Sequence, residues 1–181
     1  AKKPIDADAF LSKHDRRGTH LWTRQIGTSA EDVSLGTTTD LLGNIFLAGY
    51  TGGELTDTIN AGRLDAFLIK FSYSGKELWR RQFGSPGDDV ALALTTDAEG
   101  NVYVVGQTSS AFAEHNNVGG VDLYLIKFDS GGLLQWSQQW GTEGHDLGAE
   151  LAVDVNGQLN LLGLSVLDGP REQIEYFYSR F

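Results

Sequence analysis

The chain has 181 residues, a formal net charge of −10 and 40% hydrophobic residues. That is enough apolar mass for a real core, and an acidity that repels phosphate backbones and anionic lipid, so nucleic acid and membrane surfaces are poor partners. No stretch approaches the ~18 apolar residues of a membrane-spanning helix, and the absence of cysteine removes disulfides, thiolate catalysis and cysteine-ligated zinc together. Methionine is absent too, even at position 1. The reading is therefore a chain that starts at a processed or excised end, in a secreted, periplasmic or cell-surface setting where a sulfur-free chain resists oxidation.

In chain order, the first short apolar run is Asp8-Ala9-Phe10-Leu11-Ser12-Lys13-His14, and it returns as Asp65–Phe71 and Asp122–Phe128. Aromatic and β-branched residues in a run this short read as a strand. A turn ending in Gly18, Gly75 or Gly132 follows. Next comes a strand carrying Trp22, Trp79 or Trp136. Alternation puts Trp79, Arg81 and Phe83 on one face, and likewise Trp22, Arg24 and Ile26, and Trp136, Gln138 and Trp140. The third strand reads Val90-Ala91-Leu92-Ala93-Leu94, with small residues at alternate positions (Ser34 and Gly36 in the first copy, Gly148 but Glu150 in the third). Small side chains on one face suit a strand crowded against an axis or a neighbouring sheet. A hairpin turn follows at Asp40–Asn44, Asp97–Asn101 and Asp154–Gln158. The fourth strand is Ile45–Gly49, Val102–Gly106 or Leu159–Gly163.

The tryptophans stand at one fixed step, since 79 − 22 and 136 − 79 are both 57, and Gly27/Gly84/Gly141, Asp32/Asp89/Asp146 and Asp40/Asp97/Asp154 keep it. A strict period signals units that cannot bury their own apolar faces and must stack. Four short antiparallel strands per unit, with no helical stretch, is the build of a β-propeller blade. The expected organisation is one array over 1–181, with units at about 8–64, 65–121 and 122–174 and a partial strand over 175–181.

The stretch Asp65-Ala66-Phe67-Leu68-Ile69-Lys70-Phe71…Gly75…Trp79-Arg80-Arg81-Gln82-Phe83-Gly84…Asp97-Ala98-Glu99-Gly100-Asn101-Val102-Tyr103-Val104-Val105-Gly106 resembles the bacterial SBBP beta-propeller repeat. The likeness covers about Asp6 to Phe181 in three copies plus one extra strand. It implies a repeat module of secreted or surface proteins without a shared catalytic site. The third copy departs most: Gln158 replaces Asn, and its last loop is four residues shorter.

Three units do not close a ring, because propellers have 4–8 blades. An open blade face of about 500 Å² corresponds to about 12 kcal/mol of apolar exposure. The expectation is self-association, two copies closing six blades as a homodimer, or completion by further blades of a longer chain. Stacking without closure, which builds a surface filament or layer, is the alternative.

The residues supply no catalytic, cofactor-binding or metal set. His14, His20, His115 and His145 share no ligand spacing. Asp40, Asp97 and Asp154 sit where a turn wants a side-chain acceptor. Asp32, Asp89 and Asp146, with Glu31 and Asp88, precede the inner strand near a channel mouth, where a turn role competes with a cation or basic ligand. Gly-x-Ser-x-Gly and phosphate-binding loops are absent. A hydrolase using the mouth carboxylates is the enzyme alternative. The loops over 51–64 and 108–121 are the places for a protein or carbohydrate ligand, with His115 and Asn117 as contacts.

Overall fold

A computed structural model describes residues 7–57, 59–112, 114–167 and 173–180. These form thirteen strands and no helix among the described residues. They are β1 (Ala9–His14), β2 (His20–Ile26), β3 (Asp32–Thr39), β4 (Ile45–Thr51), β5 (Asp65–Phe71), β6 (Glu77–Phe83), β7 (Asp89–Thr96), β8 (Val102–Thr108), β9 (Asp122–Phe128), β10 (Leu134–Trp140), β11 (His145–Val153), β12 (Leu159–Leu167) and β13 (Gln173–Arg180).

The strands group into separate antiparallel sheets: β1-β2, β3-β4-β5-β6, β7-β8-β9-β10 and β11-β12-β13. The array thus holds two complete four-stranded blades, flanked by a pair of outer strands and a set of inner ones, and the sheets do not close on themselves. β13 pairs with β12 in the register that β5 keeps with β4, Phe177 opposite Gly163 as Phe67 is opposite Gly49. The shorter last loop, over 168–172, lies outside the described residues.

Alternation along each strand sends one set of side chains to each neighbouring sheet. On the β3–β6 sheet, Leu47, Phe67, Ile69 and Phe71 bury against Ala9, Leu11, Ile26 and Trp22 of the first pair. Its other face brings Phe46, Ala48, Leu68, Trp79 and Phe83 against Val102, Val104, Tyr124, Ile126 and Phe128. Tyr103, Val105, Leu123 and Leu125 then pack on Leu151, Leu159 and Leu161. Burying a side chain of this size contributes about 1.5–3 kcal/mol, so each sheet owes its stability to the next.

One sequence-based expectation fails here. Ala91 and Ala93 do not share a face, because the register slips between them: Ala91 pairs with Gly106 and Ala93 with the adjacent Val105. Slips at Ser34/Gly36 and Gly148/Glu150 repeat the same bulge in β3 and β11. The extra residue reverses the alternation. Ala91 therefore lies in the contact with the preceding sheet and Ala93 in the contact with the following one.

Polar latches join the sheets at both ends of the apolar contact. At the inner end, Asp32, Asp89 and Asp146 donate their backbone N–H to the carbonyls of Ala7, Leu64 and Val121, at 2.7–2.8 Å. At the outer end, Arg24 Nε donates to Gly75 O and Arg81 Nε to Gly132 O, both at 2.6 Å. Lys13 and Lys70 reach the carbonyls of Tyr73 and Ser130 at 3.0 and 3.1 Å. The rings of Trp22 and Trp79 lie where a Cβ on Gly75 or Gly132 would stand, 2.9 Å away.

The Tyr124 hydroxyl is fully buried and, among the described residues, has no hydrogen-bond partner. Its repeat counterpart is Phe67. Removing an unsatisfied buried hydroxyl removes a desolvation cost. Tyr124→Phe is expected to leave stability unchanged or raise it by about 1 kcal/mol, read as a shift in the denaturant midpoint at constant slope. A loss exceeding that amount would show the hydroxyl to be satisfied.

Candidate functional site

The aspartates recur at the fixed step in several classes, and each class has a distinct geometry. In the hairpin turns, Asp40 Oδ1 accepts the N–H groups of Leu42 and Asn44 at 3.0 and 2.9 Å. Asp97 accepts Asn101 N at 2.8 Å, and Asp154 accepts Asn156 N and Gln158 N at 2.8 and 3.0 Å. Gly43, Gly100 and Gly157 complete these turns with φ of +76° to +79°, a conformation glycine adopts without steric cost. The turn role, rather than cation binding, accounts for these contacts.

The second oxygen is engaged as well. Asp40 Oδ2 accepts Asn44 Nδ2 at 2.8 Å and lies 3.3 Å from Lys70 Nζ, with both side chains buried. Asp97 Oδ2 accepts from Asn101 Nδ2 and Tyr103 OH, at 2.7 and 3.0 Å, with Lys127 3.8 Å away. Burial pushes the Asp40 carboxyl up, but the side-chain and backbone donors of Asn44, with Lys70, outweigh it and hold it below its ordinary value. Asp97 behaves likewise under Asn101, Tyr103 and Lys127.

Asp32, Asp89 and Asp146 are buried in the inter-sheet junctions instead of lining a mouth. Each closes the preceding turn: Asp32 accepts Thr28 N, Asp89 accepts Ser85 N and Asp146 accepts Thr142 N, all at 2.6 Å. Hydroxyls complete the set, with Thr51 Oγ1 on Asp32 at 2.5 Å and Ser85 Oγ on Asp89 at 2.9 Å. Burial, with Asp65 nearby, raises the Asp89 carboxyl despite its donors Thr108 and Ser85. A Cβ on Gly84 would stand 2.7 Å from Asp65 Oδ1 and 3.0 Å from Asp89 Oδ2, which explains the glycine at that step of the repeat.

Asp65 and Asp122 anchor the long loops. Asp65 accepts Ala61 N at 2.9 Å and Gly62 N at 3.1 Å; Asp122 accepts Val118 N and Gln139 Nε2, both at 2.9 Å. Gln82 and Gln139 splint the loops from below, holding Leu55 N and Phe112 N at 2.8 and 2.7 Å. The two loop residues read as ligand contacts belong to the same scaffolding. Asn117 bonds Gly119, Gly120 and Gln139, and His115 bonds Ser137. The outward groups of these loops are others, among them Ile59, Glu54, Arg63, Glu114 and Asn116. Of the two acids read as thickening the mouth, Glu31 accepts Tyr50 OH at 3.0 Å and Asp88 ion-pairs with Arg63.

Beside the hairpin turns a cavity of about 420 Å³ is lined by Asp40, Leu42, Lys70, Glu99 and Ser130. A groove along the inner strands runs past Leu35, Thr37, Leu92 and Glu150. Among the described residues, no three histidine, aspartate or glutamate side chains converge as metal ligands do. The structure brings together a pair that spacing did not single out: the rings of His14 and His20 meet at 5.4 Å on the outer face of β1-β2. The signal for it was the departure of Ser12 and His14 from the Ile-x-Phe of the other two copies.

A carboxyl held below its ordinary value stabilises the fold above that value and loses its effect as the pH falls through the folded one. Asp97 therefore contributes above about pH 3.8 and less below it. Asp89, which is raised, acts in the opposite sense, its cost growing as the pH climbs from 3.8. Asp97→Asn is expected to flatten the acid side of a stability-against-pH curve, measured by chemical unfolding between about pH 2 and 5. An unchanged acid slope would remove Asp97 from that role.

Over 113 residues the chain is 26% identical to an uncharacterized WD repeat-containing protein, L264, of Acanthamoeba polyphaga mimivirus, matching 56% of this chain but only 8% of that protein's length. A crystal structure of a protein of unknown function from Bacteroides caccae covers 94% of this chain and 60% of its own, with a TM-score of 0.48 and 12% identity. Residues 21–55 and 78–113 match the beta-propeller repeat model, each spanning a Trp strand, the bulged inner strand, the Asp-Gly hairpin and the strand after it. In these two stretches the chain is similar to the SBBP beta-propeller repeat.

Proposed function

We propose that this chain is a non-catalytic β-propeller repeat module, a protein- or ligand-binding and assembly scaffold working outside the cytoplasm. The observation that carries the reading is the engagement of Asp32, Asp40, Asp89, Asp97 and Asp146 by donors of their own fold. Acid–base chemistry needs two carboxyls in different environments, with lone pairs free for substrate. Here Asp32, Asp89 and Asp146 are buried under the same donor set, and Asp40 and Asp97 are held by asparagine and lysine. The absence of cysteine and methionine supports an extracytoplasmic setting.

The recognition surface in this reading is the rim formed by the two long loops. They are splinted by Gln82 and Gln139 and present side chains such as Ile59, which is 81% exposed. Binding residues on a rigidly held loop lose little entropy on engagement. Association of copies belongs to the same reading. Among the described residues β13 pairs with β12 alone, whereas β5 and β9 are flanked on both sides, and the far edge of β13 is a template for the matching strand of a second copy.

Light scattering after gel filtration across a concentration range tests the association. The expected result is a species of twice 19.7 kDa that stops growing. A monomer at all concentrations would sink the association, and turnover lost on Asp89→Asn in a folded variant would sink the non-catalytic reading.

A further inference from the structure

We infer that the outer face of the β1-β2 sheet is an end cap, a surface built to face solvent and to refuse another repeat unit. Register identifies the change. Phe67, Ile69 and Phe71 of β5, like Tyr124, Ile126 and Phe128 of β9, are buried against the preceding sheet. The same three positions in β1 are Phe10, Ser12 and His14. Two of the three apolar contacts have been replaced by hydrogen-bonding groups, and Phe10 stands 65% exposed.

Those groups satisfy one another. His20 Nε2 lies 2.8 Å from Thr23 Oγ1, Thr23 Oγ1 donates to Ser12 Oγ at 3.3 Å, and Ser12 Oγ lies 2.9 Å from His14 Nε2. The chain ends with His14 Nδ1, 3.2 Å from Gly18 O. With both rings neutral, every proton in this series has an acceptor. Burying it under an apolar sheet would strip its hydration without supplying new partners.

The outer latch is dismantled in the same place. Gly75 O and Gly132 O receive the arginine of the preceding sheet, but Gly18 O is taken by His14 of its own hairpin. Among the described residues, none lies within 4 Å of where a Cβ on Gly18 would stand, whereas tryptophan covers Gly75 and Gly132. Lys13 and Lys70 dock on the carbonyls of Tyr73 and Ser130; the equivalent residue in the first turn is Arg16, followed by Arg17. A lysine arriving there meets two exposed guanidinium groups. Repeat arrays need a terminal unit with a polar outer face for solubility, and this sheet has its composition. A cap here is incompatible with closure of a ring through this face, so any association of copies through β13 has to leave the outer face of β1-β2 open.

The test is accessibility and size together. In the wild-type protein, modification of His14 and His20 by diethyl pyrocarbonate, mapped by mass spectrometry, is expected to stay unchanged as concentration rises, even where the mass doubles. The double variant Ser12→Ile, His14→Phe, which restores the internal pattern, is expected to form species that grow with concentration beyond the wild-type mass. Protection of the wild-type histidines at high concentration would overturn the cap, because the face would then be receiving a partner. A folded double variant with the wild-type mass would overturn it too. Should that variant not fold, His14→Ala, which reopens Gly18 O, must raise the mass for the cap to stand.

Discussion

Every part of this molecule answers to one constraint: a four-stranded blade has two apolar faces and no means of covering either. Phe67 and Ile69 are buried only because β1 and β2 lie against them, and Phe46 and Leu68 only because the β7–β10 sheet does. The polar features that accompany these contacts serve the same end. Backbone latches from Asp32, Asp89 and Asp146 set the inner spacing of the sheets. Arginine, lysine and tryptophan set the outer spacing, so the apolar layer between is gripped at both margins. Stability in such an array is close to a sum over neighbours, and loss of one junction removes support from two sheets at once.

The buried acids follow from this arrangement. Where the chain passes from one sheet to the next, several backbone N–H groups have no strand partner, and a buried donor without an acceptor is costly. A short aspartate side chain accepts two or three of them. The repeated aspartates of this chain are thus backbone acceptors placed at the two kinds of corner that each unit contains, with the lysine–aspartate pairs tying a corner to the strand beside it. This is why carboxylates recur so regularly along the chain.

Much of this was legible in the residues. The period, the four strands, the Asp-Gly hairpins and the division into two full blades with partial ones follow from spacing and alternation, since a repeat forces equivalent residues into equivalent positions. What escaped was of two sorts. The bulge in β3, β7 and β11 is invisible to a pattern of small residues, because one inserted residue leaves composition untouched while exchanging the faces of all that follow. The roles of His115 and Asn117 escaped because a polar loop residue looks the same whether it faces a ligand or braces its own backbone. The polar face of β1, by contrast, was written in the alignment as Ser12 and His14, and needed only the register to show which side they occupy.

The bulge has a further consequence for how the protein tolerates change. Since Ala91 belongs to one inter-sheet contact and Ala93 to the next, the inner strand switches allegiance partway along its length. Enlarging either alanine strains a different pair of sheets, and compensation for one has to be sought on the opposite side of the blade from compensation for the other. Residues two apart, which an ordinary strand would make neighbours on one surface, here evolve as members of separate constituencies.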